Sequence, residues 1–107
     1  MKYIVIEVPD KNDSISRIAL LGKQYQLRFT WNDTGGYWMF GILDYLGNPL
    51  SIGTKVVPNY PLNLFWGTNS TPLGVFAALT EVKDATSIQR DDFVNQKARF
   101  IFIPANQ

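Results

Sequence analysis

Asp91-Asp92, Asp10 with Asp13, and Asp33 are the side chains best suited to hold a cation, because the sequence contains no Cys and no His. Such a composition allows only an all-oxygen site for a hard metal. None of these groups has the spacing of a calcium-binding loop, so they read as turn carboxylates in water. Glycoside hydrolysis needs two carboxyl groups flanking one bond. The acidic residues other than Glu7, Asp44 and Glu81 lie in turn-like segments, and the sequence gives no separation between them. Without His the usual nucleophilic triad is excluded. A Ser-Lys variant has no motif to suggest it. The glycine-containing stretches TGGYW and LGNPLSIGTK match no phosphate-binding fingerprint, and neither leads into a helix. No catalytic residue, cofactor or metal ligand is therefore expected, and the chain reads as a protein that is not an enzyme.

Binding chemistry is the alternative, and aromatic side chains would carry it. Tyr37, Trp38 and Phe40, near Arg28 and Lys55, have the types of an oligonucleotide-stacking platform. Against this, Trp31 and Trp38 share a predicted core face, and Lys+Arg 10 against Asp+Glu 9 gives no cationic groove. Tyr37, Tyr45, Tyr60 and Trp66 have the types that stack on sugar rings, which makes a carbohydrate-binding module the second reading; core packing and loop anchoring compete with it. The third candidate is a protein-contact loop, Pro58 to Pro72. It carries Tyr60, Leu64, Phe65 and Trp66 among Asn59, Asn63 and Asn69. Trp is favoured at the centres of protein interfaces, but Leu64 and Trp66 would equally suit a plug at the end of a barrel.

These residues must be positioned by a small frame. The chain has 107 residues, 46% of them hydrophobic and 18% charged, which suits one globular domain over residues 1–107. No segment approaches the roughly 20 apolar residues of a membrane-spanning helix. The apolar run Tyr3 to Val8 is too short for a secretory signal, so folding in the cytoplasm is the expectation.

The frame itself reads as strands. Lys2 to Val8 is β-branched and closed by Pro9-Asp10. Ile15 to Leu21 is a second strand, ending at Gly22. Gln24 to Asn32 alternates strictly, with Tyr25, Leu27, Phe29 and Trp31 on one face, the period of a half-buried strand. A four-residue loop, Asp33 to Gly36, returns the chain as Tyr37 to Asp44. That loop sets Asn32 opposite Tyr37, Trp31 opposite Trp38, Phe29 opposite Phe40 and Leu27 opposite Ile42. The next turn, Asp-Tyr-Leu-Gly-Asn, places Gly47 where a left-handed residue is wanted. With Asp44 opposite Asn48, Ile42 faces Leu50 and Phe40 faces Ile52. Gly53 marks a bulge or bend before Thr54 to Val57. Residues 58–72 have no steady period and read as a long loop with one helical turn around Leu62 to Trp66. Leu73 to Val82 is a strand, Arg90 to Phe93 a short helical turn, and Lys97 to Ile103 a last strand. About seven short strands favour an all-β antiparallel barrel or sandwich.

The order of these pieces resembles a family of small phage baseplate plug proteins. The resemblance lies in Tyr-x-Leu-x-Phe-x-Trp-Asn at Tyr25 to Asn32, the Trp-led strand through Asp-x-x-Gly-x-Pro at Trp38 to Pro49, and Gly-x-Lys-Val at Gly53 to Val56. It continues in Asn-x-Pro-Leu at Asn59 to Leu62 and Pro-x-Gly at Pro72 to Gly74. It implies a structural component of the tail baseplate of contractile-tailed phages and prophages, placed in the virion after synthesis in the host cytoplasm. It implies docking onto other tail proteins, such as hub, tube or wedge, near the central hub or tube end. Self-association as a ring or trimer is a further expectation; nucleic acid and membrane are not expected partners. Trp31, Asn32, Trp38, Asp44, Gly47 and Gly53 carry over as fold determinants, and no catalytic residues carry over.

Overall fold

The computed structural model describes residues 2–62 and 74–104. Its regular structure is β throughout those residues: β1 Ile4–Ile6, β2 Asp13–Leu20, β3 Lys23–Asn32, β4 Tyr37–Asp44, β5 Pro49–Lys55, β6 Gly74–Thr80 and β7 Ala98–Pro104. Two antiparallel sheets result, one in the order β2-β3-β4-β5 and the other β1-β7-β6. Among the described residues no ladder joins the sheets, so the open choice between barrel and sandwich falls to the sandwich. The expected Leu62 to Trp66 helical turn, Leu73 at the head of β6, and Leu64, Phe65 and Trp66 of the contact loop lie outside the described residues.

Strand β3 shows why the alternation matters. Tyr25, Leu27 and Phe29 are buried, while Lys23, Gln24 and Arg28 are exposed. The β3–β4 register is the one the sequence predicts, with Asn32, Trp31, Phe29 and Leu27 opposite Tyr37, Trp38, Phe40 and Ile42. Burial of one face fixes it, since a slip by one residue would expose Phe29 and Leu27 and bury Arg28. Asn32 secures the connecting loop: its Oδ1 accepts the Gly35 N–H at 2.9 Å, and its Nδ2 donates to the Tyr37 hydroxyl at 3.1 Å.

The core is a layer of phenylalanine rings between the sheets. Phe29 meets Phe100 edge-on at 4.9 Å between centroids, and Phe40 lies 5.0 Å from Phe76 and 4.9 Å from Phe100. Phe102 continues the row 4.8 Å from Phe76. Each such ring pair contributes about 0.5–1.5 kcal/mol beyond the apolar area it removes from water.

Three expectations need correction. The β4–β5 register is not Ile42 with Leu50 and Phe40 with Ile52; Ile42 pairs with Ser51 and Phe40 with Thr54. Two irregularities cause this, one inserting Leu50 and the other inserting a residue at Ile52-Gly53, where Gly53 has φ +79°. Each extra residue turns the following side chain to the other face. Ile52 is therefore left 65% exposed, lying over Gly41 on the outer face, and Val56 fills the core place beside Trp38. Second, β2 runs from Asp13 to Leu20, two residues earlier at its start than expected, because Asp13 and Ser14 pair with Thr30 and Phe29. Leu21 is not strand but the first residue of a two-residue turn with Gly22. Third, β1 pairs only over Ile4–Ile6 rather than Lys2 to Val8.

The β4–β5 turn is held by Asp44. Its Oδ1 accepts the N–H groups of Asn48 and Leu46 at 2.8 and 3.0 Å, and its main-chain N–H donates to the Asn48 carbonyl at 2.9 Å. Gly47 occupies the left-handed position with φ +89°, and a Cβ there would have ordinary clearance from Gln26. Only backbone strain then opposes a side chain at Gly47. Gly47→Val is expected to destabilise the fold by about 1 kcal/mol or more, while Gly47→Asn costs less, because asparagine tolerates this conformation. Chemical denaturation of the two variants checks this.

The Asn48 main-chain N–H, followed by the Asn48 side chain and the Leu46 and Gly47 amides, holds the Asp44 carboxyl below its ordinary value of 3.8. A depressed folded-state pKa gives stability that is present above the unfolded value and lost as pH falls through the folded one. Wild-type melting temperature should therefore fall below about pH 4, and Asp44→Ala should flatten that acid limb. Parallel melts from about pH 6 downward measure the difference.

Candidate contact surface

The carboxylates that could have formed a metal or catalytic cluster are each engaged elsewhere. Asp13 pairs bidentately with Arg28, at 2.9 and 2.8 Å, on the outer face of the large sheet. The Arg28 hydrogen bond holds the Asp13 carboxyl low, with Thr30 assisting. Asp33 accepts from the Trp31 indole at 3.4 Å. Asp10 and Asp91 both accept from Arg90 Nη1, at 3.1 and 3.2 Å. Asp92 binds the Gln89 N–H through its side chain and the Lys97 and Ala98 N–H groups through its carbonyl. Among the described residues no three acidic side chains converge as a cation site requires.

Arg90 does further work that no local pattern in the sequence signals. Its Nε donates to Asn12 Oδ1 at 2.6 Å and its guanidinium lies 5.3 Å from the Trp38 ring centroid. It thereby fastens the turn region 90–96 to the link between β1 and β2, while Phe93 of the same turn packs on Trp38 and Phe100. The sequence places a helical turn at Arg90 to Phe93, and hydrogen-bonded turns occupy that region.

The aromatic platform is divided by the pleat of β4. Trp38 and Phe40 are each 1% exposed in the core, while Tyr37 faces outward with Lys55 Nζ 4.7 Å from its ring centroid. A stacking surface for single-stranded nucleic acid would need the three on one side. The tyrosines considered for sugar stacking do not gather either. Tyr45 lines a small recess with Arg17, Gln24 and Gln26, and Tyr60 lines a separate cleft with Pro58, Lys83 and Thr86.

The start of the predicted contact loop has a definite place. Residues 58–62 run along the outer edge of β6: Asn59 N–H donates to the Ala78 carbonyl at 2.7 Å and Leu62 N–H to the Phe76 carbonyl at 2.9 Å. Pro58 and Pro61 form isolated bridges to Ala78 and Ala77. The segment thus covers backbone groups that an open edge would offer to another chain. Asn59 fixes it, with φ +65°, its Oδ1 accepting the Thr80 N–H at 3.1 Å and its Nδ2 donating to the Thr80 hydroxyl at 2.9 Å. Tyr60 projects beside this anchor, 68% exposed. A short Asn-x-Pro spacing is the only sequence hint of this arrangement. Asn59→Ala is expected to cost roughly 1–2 kcal/mol, since it leaves the half-buried Thr80 N–H without its acceptor; denaturant unfolding, with limited proteolysis between Val57 and Leu62, checks both the cost and its location.

No curated protein matches the chain. The family model described as "Cyanophage baseplate Pam3 plug gp18" matches residues 1–105. That span takes in every strand of both sheets and the ordered motifs from Tyr25 to Gly74, and the chain belongs to this phage baseplate plug family.

Proposed function

We propose that the chain is a non-catalytic structural subunit of a contractile-tail baseplate, seated near the central hub or tube end and docking onto other tail proteins. The observation that carries this reading is the family match across residues 1–105. The chemistry of the chain supports it: there is no His or Cys, and Asp10, Asp13 and Asp44 are committed to turns and ion pairs. In this reading the protein works by shape and contact as one domain over residues 1–107, made in the host cytoplasm and built into the virion. Hub, tube and wedge proteins are the partner classes, with self-association into a ring or trimer alongside them.

The loop from Pro58 to Pro72 is the contact element in this reading. Tyr60 stands exposed on a backbone that Asn59 pins to β6, which limits the ordering cost of binding. Leu64, Phe65 and Trp66 follow it in sequence and supply apolar anchors of the kind interfaces favour.

The test is made on particles. Tails purified from the phage or prophage that carries this gene should contain the chain by mass spectrometry, in fixed ratio to the hub proteins. Deletion of the gene should give tails that lack a complete baseplate. Purified intact tails without the chain would overturn the reading.

A further inference from the structure

One end of the four-stranded sheet presents three apolar side chains to solvent. Leu21 is 53% exposed, Tyr45 65% and Leu46 69%. The β3–β4 register sets Tyr25 against Asp44, so the β2–β3 and β4–β5 turns project from the same end. Gln26 Nε2 donates to the Tyr45 carbonyl at 3.2 Å, which draws the second turn against β3. Arg17, Gln24, Gln26 and Tyr45 line one recess there.

Local physics does not explain these residue choices. Leu21 has φ +54° in a two-residue turn whose second residue, Gly22, has φ +79°. Such a turn favours asparagine or aspartate at its first position, and a leucine there is strained. Yet Leu21 remains more than half exposed, so burial offsets little of that strain. Tyr45 and Leu46 sit on a turn whose backbone Asp44 has already fixed. Rigid presentation lowers the ordering cost of binding, and tyrosine is a common anchor in protein interfaces.

Charge indicates what covers the patch. Arg17 and Lys23 flank it, both exposed, and neither has an acidic partner among the described residues. The nearby Asp44 carboxylate is turned onto the amides of its own turn. Two copies meeting through this end would bring two patches together that each carry Arg17 and Lys23, which like-charge repulsion opposes. We infer that the sheet end carrying Leu21, Tyr45 and Leu46 is a second docking surface, whose partner is a different protein of the same tail presenting an apolar pocket with an acidic rim. The inference rests on the baseplate reading above and adds to it a surface built from other residues than those of Pro58 to Pro72.

Leu21→Asn is the most discriminating variant, because it removes the apolar side chain while relieving the backbone. Isolated Leu21→Asn protein should melt at or above the wild-type temperature, yet be recovered in purified tails at roughly one tenth of the wild-type amount. The double variants Tyr45→Ser with Leu46→Ser, and Arg17→Glu with Lys23→Glu, should lose incorporation in the same way. A benzophenone side chain in place of Leu46, irradiated in assembled tails, should join the chain to a different tail protein. Incorporation of all variants at the wild-type level, no crosslink, or a crosslink only to a second copy overturns the inference while the baseplate reading stands. Absence of the wild-type chain from tails overturns both.

Discussion

Ring contacts between Phe29 and Phe40 on one sheet and Phe76 and Phe100 on the other set the spacing on which the rest of the molecule depends. Sheets pack face to face at about 10 Å, and aromatic rings fill that distance with few rotatable bonds. The alternation of β3 and β4 follows from this constraint, because each buried ring requires its chain neighbours to face outward. Trp38 and Trp31 extend the same layer toward one end, where their rings meet edge-on at 5.5 Å. The Arg90 guanidinium then lies over Trp38 and joins it to the loop bearing Asp10 and Asn12.

The polar groups serve this frame more than any reaction. Asn32, Asp44, Asn59 and Asp92 each direct a side-chain oxygen at main-chain N–H groups of a turn or edge. Side chains of this kind stabilise non-repetitive backbone that no ladder supports. Little strongly acidic or basic chemistry is then left to converge on a ligand. Tyr45, Leu46 and Tyr60 stand exposed on backbone that Asp44 and Asn59 fix, beside charged side chains scattered over the surface.

Much of this was legible in the residues from Tyr25 to Asp44, where strict alternation and a glycine-containing loop specify strands, register and buried face together. Legibility failed at β5, because a bulge inserts a residue without altering the local composition that marks a strand. Ile52 and Val56 are equally apolar, and only the bulges decide that Val56 is buried and Ile52 exposed. It failed again at residues 58–62, whose two prolines and Asn59 read as loop although they run along β6. The Arg90 fastening is invisible for another reason: its partners Asp10 and Asn12 lie 80 and 78 residues away in sequence. The surface candidates were legible as residue types but not as neighbours, since Tyr37 and Trp38 are adjacent in sequence and face opposite ways.

Strand β7 comes last in sequence yet lies at the centre of its sheet, between β1 and β6. On a ribosome the meander β2 to β5 can form from local hairpins as soon as Lys55 has emerged, but β1 and β6 have no ladder to join. Until β7 follows, the apolar face holding Phe29 and Phe40 also lacks Phe100 and Phe102. Closure of the sandwich thus waits on synthesis of β7, with a half-built sandwich exposed in the interval. Such a nascent state exposes apolar surface of the kind that chaperones bind. The same order also guards assembly: a chain truncated before β7 cannot close its sandwich and would be an unfit building block for any larger particle.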